Sequence, residues 1–195
     1  MSWWRRTPIA QARWVAIDCE TSGLDPARDR LLSVGALCVH EGRIDLAGAF
    51  QRTVKQALPS EAQNILVHGI GGDAQLAGAP LQQVLDALTA HVGEAIPVGF
   101  HAPFDEQVLR RHGFRARQRW VDLAALAPVL FPGRKAKALD EWLAEFGIPA
   151  HQRHDALGDA FSTAQLLLVA LAEAKRQRTD TVEELRAAGR AARWL

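Results

Sequence analysis

The chain contains the stretch Arg13-Trp-Val-Ala-Ile-Asp-Cys-Glu-Thr-Ser-Gly-Leu24, in which an apolar run is followed by two carboxylates. The run, which stops at Ser22-Gly23, predicts a buried β-strand. Because side chains two apart on a strand share a face, we expect Asp18 and Glu20 to project together and Cys19 to point the opposite way. Neighbouring carboxylates repel unless cations lie between them, and they are the ligands that Mg²⁺ and Mn²⁺ prefer. The stretch predicts a metal site at the strand end, with a solvated strand end as the alternative.

A third candidate carboxylate follows a second apolar segment, Ala95-Ile-Pro-Val-Gly-Phe-His101. This segment predicts a strand, and Pro103 suits the first turn of the helical pattern that comes next. Asp105 is therefore expected near a helix start just after a strand, where open α/β sheets place their ligands. Stabilisation of the helix dipole is the alternative role, and Glu106 competes for either role.

A histidine and a fourth carboxylate stand at the start of the last long helical pattern. Apolar residues recur at helical spacing up to Leu168, and Asp155 is the expected N-cap. His154 would then lie in the preceding loop and Asp159 one turn into the helix. A water held by a metal at Asp159 would be within reach of the imidazole, and histidine is the natural base near neutral pH. The alternative for His154 is a loop histidine bonded to backbone.

These segments resemble the DEDDh 3'-to-5' exonucleases, the family that contains the proofreading subunit of bacterial replicative polymerase. The resemblance covers roughly residues 13–171 and implies an α/β, ribonuclease-H-like fold with a mixed five-stranded sheet flanked by helices. It rests on motifs that stand in the family's order and at its separations: Asp18-Cys-Glu-Thr-Ser-Gly-Leu24, Leu31-Leu-Ser-Val-Gly-Ala36, His68-Gly-Ile70, Phe104-Asp105, Val121-Asp122 and His154-Asp-Ala-Leu-Gly-Asp-Ala160.

The resemblance also implies the roles of the site residues. It implies that two divalent cations, Mg²⁺ or Mn²⁺, are bound by four carboxylates: Asp18, Glu20, Asp105 and Asp159. His154 would activate the attacking water, since it has the family's five-residue offset from Asp159, whereas His151 lies farther away. A sister group uses tyrosine in place of the histidine, and this chain contains no tyrosine.

Residues for substrate contact come from the same motifs. In the family, the positions of Thr21, Gly23 and Leu24 let backbone and an apolar side chain meet the terminal nucleotide. Phe104 is expected either to stack on a base or to pack in the core. The family often has His-Asn-Ala before its Phe-Asp pair, and this chain has Phe100-His101-Ala102 instead. His101 would replace the asparagine contact or face solvent.

The resemblance implies hydrolysis at the 3' end of a single-stranded nucleic acid, with release of nucleoside 5'-monophosphates. DNA is the expected substrate. The alternatives are a 3'-to-5' exoribonuclease and a fold that has lost catalysis and serves as a nucleic-acid or protein interaction module. Retention of all four carboxylates and of His154 favours an enzyme.

The composition predicts one domain over residues 1–195, with a core at about 13–171 and a basic helical extension at about 175–195. The chain has 195 residues, of which 48% are hydrophobic, and its two cysteines, Cys19 and Cys38, are expected to be reduced core thiols. No apolar run of about 20 residues and no signal-peptide pattern was found, which predicts a cytoplasmic protein without a membrane partner.

A net charge of +1 is low for a nucleic-acid binder, but the average conceals basic groups. These are expected to hold phosphates or to be solvated helix faces: Arg110, Arg111, Arg115, Arg117 and Arg119, then Arg134, Lys135 and Lys137. The extension is expected to be a docked helix or a polymerase-binding segment, and Trp3 and Trp4 would cover it or a partner. Because no long tether is evident, we expect a stand-alone nuclease, with a polymerase partner as the alternative.

Periodicity predicts the order of elements along the chain. Strands are expected at about 13–19, 31–39, 44–54, 95–100 and 119–122. Helices are expected at about 80–92, from 103, and at about 123–130, 136–146 and 155–174.

Overall fold

The computed structural model describes residues 6–149 and 154–191, so that Trp3, Trp4 and His151 lie outside the described residues. The strands are β1 (Trp14–Thr21), β2 (Leu31–His40), β3 (Arg43–Ile44), β4 (Phe50–Thr53), β5 (Ile96–Gly99) and β6 (Val121–Asp122). The helices are α1 (Ala62–His68), α2 (Gly72–Ala77), α3 (Leu81–Val92), α4 (Ala102–Arg111), α5 (Leu123–Leu130), α6 (Leu139–Glu145), α7 (Ala156–Arg176) and α8 (Val182–Ala191).

The strands form one mixed sheet in the order β3-β2-β1-β5-β6. β1 pairs antiparallel with β2 and parallel with β5, and β5 pairs parallel with β6. β3 pairs with the end of β2, and β4 pairs with its start. The two short strands therefore share one edge position of the sheet. The predicted mixed sheet of five strand positions flanked by helices is confirmed.

One predicted strand, at about 44–54, is interrupted and forms β3 and β4 instead. Between them the chain turns: the carboxylate of Asp45 accepts a hydrogen bond of 3.0 Å from the Gly48 N–H, and the Ala49 N–H bonds the carbonyl of Leu46 at 3.3 Å. An aspartate that bonds backbone a few residues on favours a turn over a continuous strand.

The sheet separates two apolar layers, and β1 contributes to both. Trp14 and Ala16 pack on the layer that contains α5, α6, α7 and α8, whereas Val15 and Ile17 pack on the layer that contains α3 and α4. This alternation is the period-two pattern of a strand that is covered on both faces. The side on which a β1 residue lies is therefore set by whether its number is even or odd.

The helix α7 packs against β1 and β2 as the central helix of its layer. It is the one helix among the described residues that has the length and composition of a membrane span. It has 21 residues, and an 18-residue window within it has a mean hydropathy of 1.3. The sequence analysis did not anticipate a helix of this kind. Of the 18 residues in that window, 50% are buried within the fold. A core helix meets the same criteria of length and hydropathy because it also lies among apolar side chains.

Two short helices, α1 and α2, occupy a region for which the sequence analysis predicted no element. A polar network holds them: the buried Gln75 side chain donates to Ser60 Oγ at 2.9 Å and to the Ile70 carbonyl at 2.8 Å. His68 accepts from the Ile70 N–H at Nδ1, and its Nε2 lies 3.1 Å from Ser60 Oγ. Nδ1 is thus the acceptor nitrogen, and burial lowers the pKa of His68.

The C-terminal part of the described chain is a helix docked on the domain, as one of the two alternatives for that region predicted. Val182 and Leu185 of α8 are buried in the same layer as α5. The N-terminal segment crosses the start of α8, with the Ile9 N–H bonded to the Asp180 carbonyl and the Val182 N–H bonded to the Thr7 carbonyl, each at 2.9 Å. α7 continues to Arg176, a little beyond its predicted end.

Candidate active site

Three carboxylates meet at the carboxyl end of β1. Asp18 and Glu20 lie on the face of β1 that α7 covers, and Asp159 of α7 approaches them from above. One oxygen from each residue can be chosen so that all three lie within 4.8 Å of one another. Glu20 and Asp159 are buried, and Asp18 is half-buried. The expected projection of Asp18 and Glu20 to one side, with Cys19 on the other, is what the structure has.

A glycine in β2 allows α7 to approach so closely. Gly35 pairs with Asp18 across the sheet, and a Cβ on Gly35 would lie only 2.2 Å from the carbonyl of Ala156 in the first turn of α7. A side chain at this position would push the helix start away from the sheet. The sequence analysis counted Gly35 in a family motif but gave it no structural role.

The start of α7 has the predicted cap, and it also orients Asp159. Asp155 is the N-cap, and its side chain accepts from the Gly158 N–H at 2.9 Å. The backbone N–H of His154 donates to Oδ2 of Asp159 at 3.0 Å. His154 itself has a left-handed backbone, with φ of 62°, and is exposed. As expected, it lies in the loop immediately before the helix.

Asp105 approaches the same strand end from the other layer. It lies on α4, whose Val108 and Leu109 pack on the α3 side of the sheet, and its Oδ1 accepts the backbone N–H of Cys19 at 3.1 Å. Asp105 is not part of the three-carboxylate group. The four predicted ligands thus converge on β1 from both faces, three as a group and the fourth beside the peptide that joins Asp18 to Glu20.

Burial and negative charge perturb the groups around Asp105. The pKa of Asp105 is raised to about 8, chiefly by burial, with Glu20 raising it further and the hydrogen bonds from Cys19 opposing the shift. The pKa of the Cys19 thiol is raised well above its ordinary value, again mainly by burial and next by Asp105 and Asp18. This strand end is therefore a place where negative charge is unfavourable without a compensating cation.

The loop between β1 and β2 is organised by Asp29. Its carboxylate bonds the Asp25 N–H at 2.7 Å and the Ser22 hydroxyl at 3.2 Å. A Cβ on Gly23 would lie 2.5 Å from this carboxylate, so a side chain at this position would require the Asp29 carboxylate to move. The Thr21 hydroxyl donates to the Gly23 carbonyl at 2.5 Å. Leu24, at the tip of the loop, is 92% exposed.

The helix α1 adds residues that the sequence analysis did not find. Asn64 donates from Nδ2 to the Ser22 carbonyl at 2.5 Å, which ties α1 to the loop that carries Leu24. On this helix Leu66 is 85% exposed and Val67 is 57% exposed. Leu66 and Val67 are thus exposed apolar residues on a helix that is joined to the β1–β2 loop. The available signal was an apolar pair, Leu66-Val67, on a segment too short to show periodicity.

The two remaining predicted substrate residues lie at the start of α4. His101 is the N-cap residue, has a φ of 62° and is exposed, and its ring makes an edge contact with Phe100 at 4.9 Å between centroids. Its exposed ring is compatible with both alternatives for His101, a contact to the nucleotide or a solvent-facing side chain. Phe104 is half-buried and packs on the α3 side of the core, so that part of its ring stays accessible.

Several of the predicted basic residues serve the fold. Arg111 donates to the carbonyls of Ala27 and Asp29 and so joins α4 to the β1–β2 loop. Arg117 is paired with Glu94 and Arg134 with Glu145. These arginines are therefore engaged in contacts within the protein, a role that differs from both the phosphate contact and the solvated helix face expected from the sequence.

The donor set fits a divalent cation of the Mg²⁺ class. Mg²⁺ binds oxygens at about 2.1 Å, so oxygens on opposite sides of one ion lie about 4.2 Å apart. The oxygens of Asp18, Glu20 and Asp159 lie within 4.8 Å of one another, which is close to this separation. All the donors are hard carboxylate oxygens, and a cation would favour the ionised form of Asp105.

Comparison with known families identifies the family to which the chain belongs. The family model described as exonuclease (RNase T) matches residues 15–167. The chain belongs to the exonuclease family. The chain is 31% identical over 170 residues to a DNA polymerase III subunit epsilon-like protein of Rhodobacter capsulatus, and the match covers 83% of the chain and 24% of that protein. A PolC-type DNA polymerase III of Thermotoga petrophila is 28% identical over 162 residues, or 80% of the chain and 12% of that protein.

The chain thus spans a quarter or less of the length of these curated relatives. Solved structures show the fold. Exonuclease X, in complex with 5' overhanging duplex DNA, has a TM-score of 0.71 at 22% identity, over 90% of this chain and 99% of that chain. E. coli exonuclease I, in complex with a dT13 oligonucleotide, has a TM-score of 0.71 at 18% identity, over 87% of this chain and 43% of that chain. The predicted family and ribonuclease-H-like fold are confirmed.

Proposed function

We propose that this exonuclease hydrolyses phosphodiester bonds at the 3' end of single-stranded DNA and releases nucleoside 5'-monophosphates. The observation that carries the proposal is the group formed by Asp18, Glu20 and Asp159, with oxygens within 4.8 Å of one another at the end of β1. Buried carboxylates in such a group favour cations that bind phosphate oxygens. Membership of the exonuclease family supports the same chemistry.

The four carboxylates are proposed as the ligands of two divalent cations, Mg²⁺ or Mn²⁺. Asp18, Glu20 and Asp159 would hold them directly as a group, and Asp105 would complete the set from the α4 side. When bound, such cations lower the pKa of a bound water and neutralise charge on the phosphate. The raised pKa of Asp105 supports this assignment, because the protein without a cation penalises its charge.

His154 is proposed as the general base. Its backbone N–H bonds Oδ2 of Asp159, so the histidine and the proposed ligand are held in one unit at the start of α7. The exposed imidazole would take the proton of the attacking water at a ring nitrogen and pass it to solvent. The left-handed backbone of His154 is an uncommon conformation of the kind that clusters at functional sites.

The terminal nucleotide is proposed to lie over the β1–β2 loop. Leu24 would contact one face of its base, and the accessible part of Phe104 would contact the other side of the site. Thr21 and Gly23 would shape the loop for this contact, and His101 would face the strand from the start of α4. None of these contacts distinguishes one base from another, which favours sequence-tolerant hydrolysis.

DNA is proposed in preference to RNA because the similar proteins are a polymerase III epsilon-like protein, PolC-type polymerases and exonucleases solved with DNA. A stand-alone nuclease is proposed in preference to a polymerase subunit, and the packing of α8 on the domain is compatible with this choice. A cytoplasmic location is also proposed. It is supported by Cys19 and Cys38, which are free buried thiols that suit a reducing compartment.

A gel time course on 5'-labelled single-stranded DNA and RNA with Mn²⁺ tests the proposal. Wild type is compared with Asp18→Asn, and with Asp86→Asn as a matched control on the exposed face of α3. A descending ladder is expected with wild type and the control but not with Asp18→Asn, and the DNA ladder is expected to descend faster. An intact substrate with wild type, or an equal ladder with Asp18→Asn, would refute the proposal.

A further inference from the structure

A cavity of about 350 Å³ lies where α8 meets β6 and the first turn of α4. Three arginines line it: Arg119, just before β6, and Arg186 and Arg190 of α8. These residues have no part in the carboxylate site. α8 lies outside residues 15–167, which the family model matches, so the wall of the cavity that carries Arg186 and Arg190 is an addition to the part of the chain that the family model describes.

Arg186 is the innermost of the three arginines. Its Nη2 donates to the Arg119 carbonyl at 2.6 Å, and its Nε is buried without a hydrogen-bond partner among the described residues. The pKa of Arg186 is lowered, first by burial and then by Arg119 and Arg190, while Glu183 opposes the shift. A buried charged donor without an acceptor is unfavourable, and an anion in the cavity would supply the acceptor.

The other walls of the cavity fit a nucleotide unit better than a bare anion. Trp120 is half-buried and offers an aromatic surface, on which bases stack. Asp122 also lines the cavity, but its Oδ1 accepts the backbone N–H groups of Ala102 at 3.3 Å and Ala124 at 3.2 Å. Its charge is thus partly compensated by two backbone donors. Glu106, on the rim, is exposed to solvent.

The cavity lies at the same end of the sheet as the carboxylate site, where the parallel strands have their carboxyl ends. β1, β5 and β6 are parallel neighbours, so their carboxyl ends lie at the same end of the sheet. Glu20 lies near the carboxyl end of β1, and Asp122 lies at that of β6. Two strand spacings separate β1 from β6, which amounts to about 10 Å. A strand of nucleic acid that has its 3' end at Asp18 and Asp159 and runs towards β6 would therefore reach the cavity within a few nucleotides.

We propose that this cavity binds phosphodiester groups of the substrate strand upstream of the terminal nucleotide, with Arg119, Arg186 and Arg190 as the donors. The inference rests on the proposed function, since it assigns a second contact to the same substrate. Affinity should then grow with the length of the strand until it reaches the cavity. The salt dependence of binding should grow with it, because each neutralised phosphate releases counterions.

The test uses the double variant Arg119→Gln/Arg190→Gln, because both side chains are exposed and the buried contact of Arg186 stays in place. The matched control is Arg43→Gln on β3, an exposed arginine at the opposite edge of the sheet. Thermal unfolding is recorded for each variant. Binding of labelled single-stranded DNA is titrated over a range of salt in the Asp18→Asn background, and kcat/KM is measured for a dinucleotide and for a long oligonucleotide.

We expect the double variant to lower the ratio of kcat/KM for the long oligonucleotide over the dinucleotide by about tenfold. The slope of log Kd against log salt should fall by about 0.7 for each arginine removed. Arg43→Gln should change neither quantity. An unchanged ratio and slope in the double variant, or an equal change in Arg43→Gln, would overturn the inference.

Two further outcomes are distinguishable. If wild type cleaves nothing, the proposed function fails, but the titration in the Asp18→Asn background still decides whether the cavity binds DNA. Competition with a free nucleoside 5'-monophosphate identifies the source of the phosphate. If the monophosphate binds in an arginine-dependent way and the strand does not, the assignment to the strand is overturned.

Discussion

The backbone N–H of Cys19 and the carboxylate of Asp105 are joined by a hydrogen bond of 3.1 Å. Cys19 is the residue between Asp18 and Glu20, so this bond fastens α4 to β1 at the centre of the carboxylate site. It also places a buried carboxyl next to two others without a cation between them. The electrostatic behaviour of the site without metal follows from this arrangement.

The stability of the metal-free protein should depend on the protonation of Asp105. Its pKa is raised to about 8 by burial, whereas an unfolded aspartate titrates near 3.9. Between these values the folded protein keeps a proton that the unfolded chain has lost, so stability falls as the pH rises through this window. Urea unfolding with a chelator, at about pH 5 and about pH 8, measures the change. Asp105→Asn should remove this component, and an unchanged pH slope in that variant would contradict the prediction.

Cation binding should stabilise the folded protein through Asp159. A ligand that binds only the folded state adds about 2.7 kcal/mol at a hundredfold excess over its Kd. We expect Mn²⁺ to raise the thermal midpoint of wild type, and Asp159→Asn to lose most of this rise because one of the three grouped oxygens is replaced. Asp86→Asn, on the exposed face of α3, should keep the rise. An equal rise in Asp159→Asn would place the cation elsewhere.

Gly35→Ala should destabilise the protein and separate Asp159 from β1. Its Cβ would lie 2.2 Å from backbone atoms of Ala156, which cannot move without the start of α7. Overpacking of this kind costs about 1–3 kcal/mol. Gly71→Ala is the matched control, since nothing lies within 4 Å of its Cβ. The measurements are urea unfolding and Mn²⁺ affinity, and wild-type values for Gly35→Ala would show that the helix start is not held against the sheet.

His154→Asn should lower kcat while leaving cation affinity close to that of wild type. Asparagine tolerates the left-handed backbone, and it keeps the N–H that bonds Asp159, so only the proposed base is lost. Loss of a general base typically costs about 10²–10⁴ in rate. Steady-state kinetics and a Mn²⁺ titration by calorimetry separate the two effects. A parallel loss of cation affinity would indicate that the histidine acts by positioning Asp159.

Leu24→Ala should raise KM for single-stranded DNA more than it lowers kcat. Leu24 is 92% exposed at the tip of the β1–β2 loop, so its removal costs little stability. Full burial of a leucine side chain against an apolar surface is worth about 1.5–3 kcal/mol. The control is Leu46→Ala, a 63% exposed leucine in the turn between β3 and β4. Equal KM values for the two variants would exclude Leu24 from the substrate site.

Much of the fold could be predicted because its signals are local. The period-two alternation of β1 separates Asp18 and Glu20 from Cys19, and the helical spacing after Asp155 predicts α7 and its N-cap. Both patterns are properties of a few adjacent residues. By contrast, α1 and α2 are six or seven residues long and are held by Ser60, His68 and Gln75, so no apolar period marks them.

The placement of Asp105 could be predicted only in part. Its position just after β5 and near the start of α4 follows from the chain order. Its contact with the Cys19 N–H depends on which face of the sheet α4 covers, and that is decided by the packing of Val108 and Leu109 against the layer below. The spacing of residues along the chain does not distinguish a ligand that belongs to the three-carboxylate group from one that reaches β1 from the other face of the sheet.

The sequence by itself determined the family, the strand that carries Asp18 and Glu20, and the helix that carries Asp159, because these depend on motifs and on periodicity along a short segment. Only the tertiary structure decided how closely α7 approaches Gly35, how Asp105 meets β1, and how α8 forms an arginine-lined cavity beside β6. These features join residues that are far apart in the chain. Their geometry depends on the packing of whole layers, for which no local pattern carries a signal.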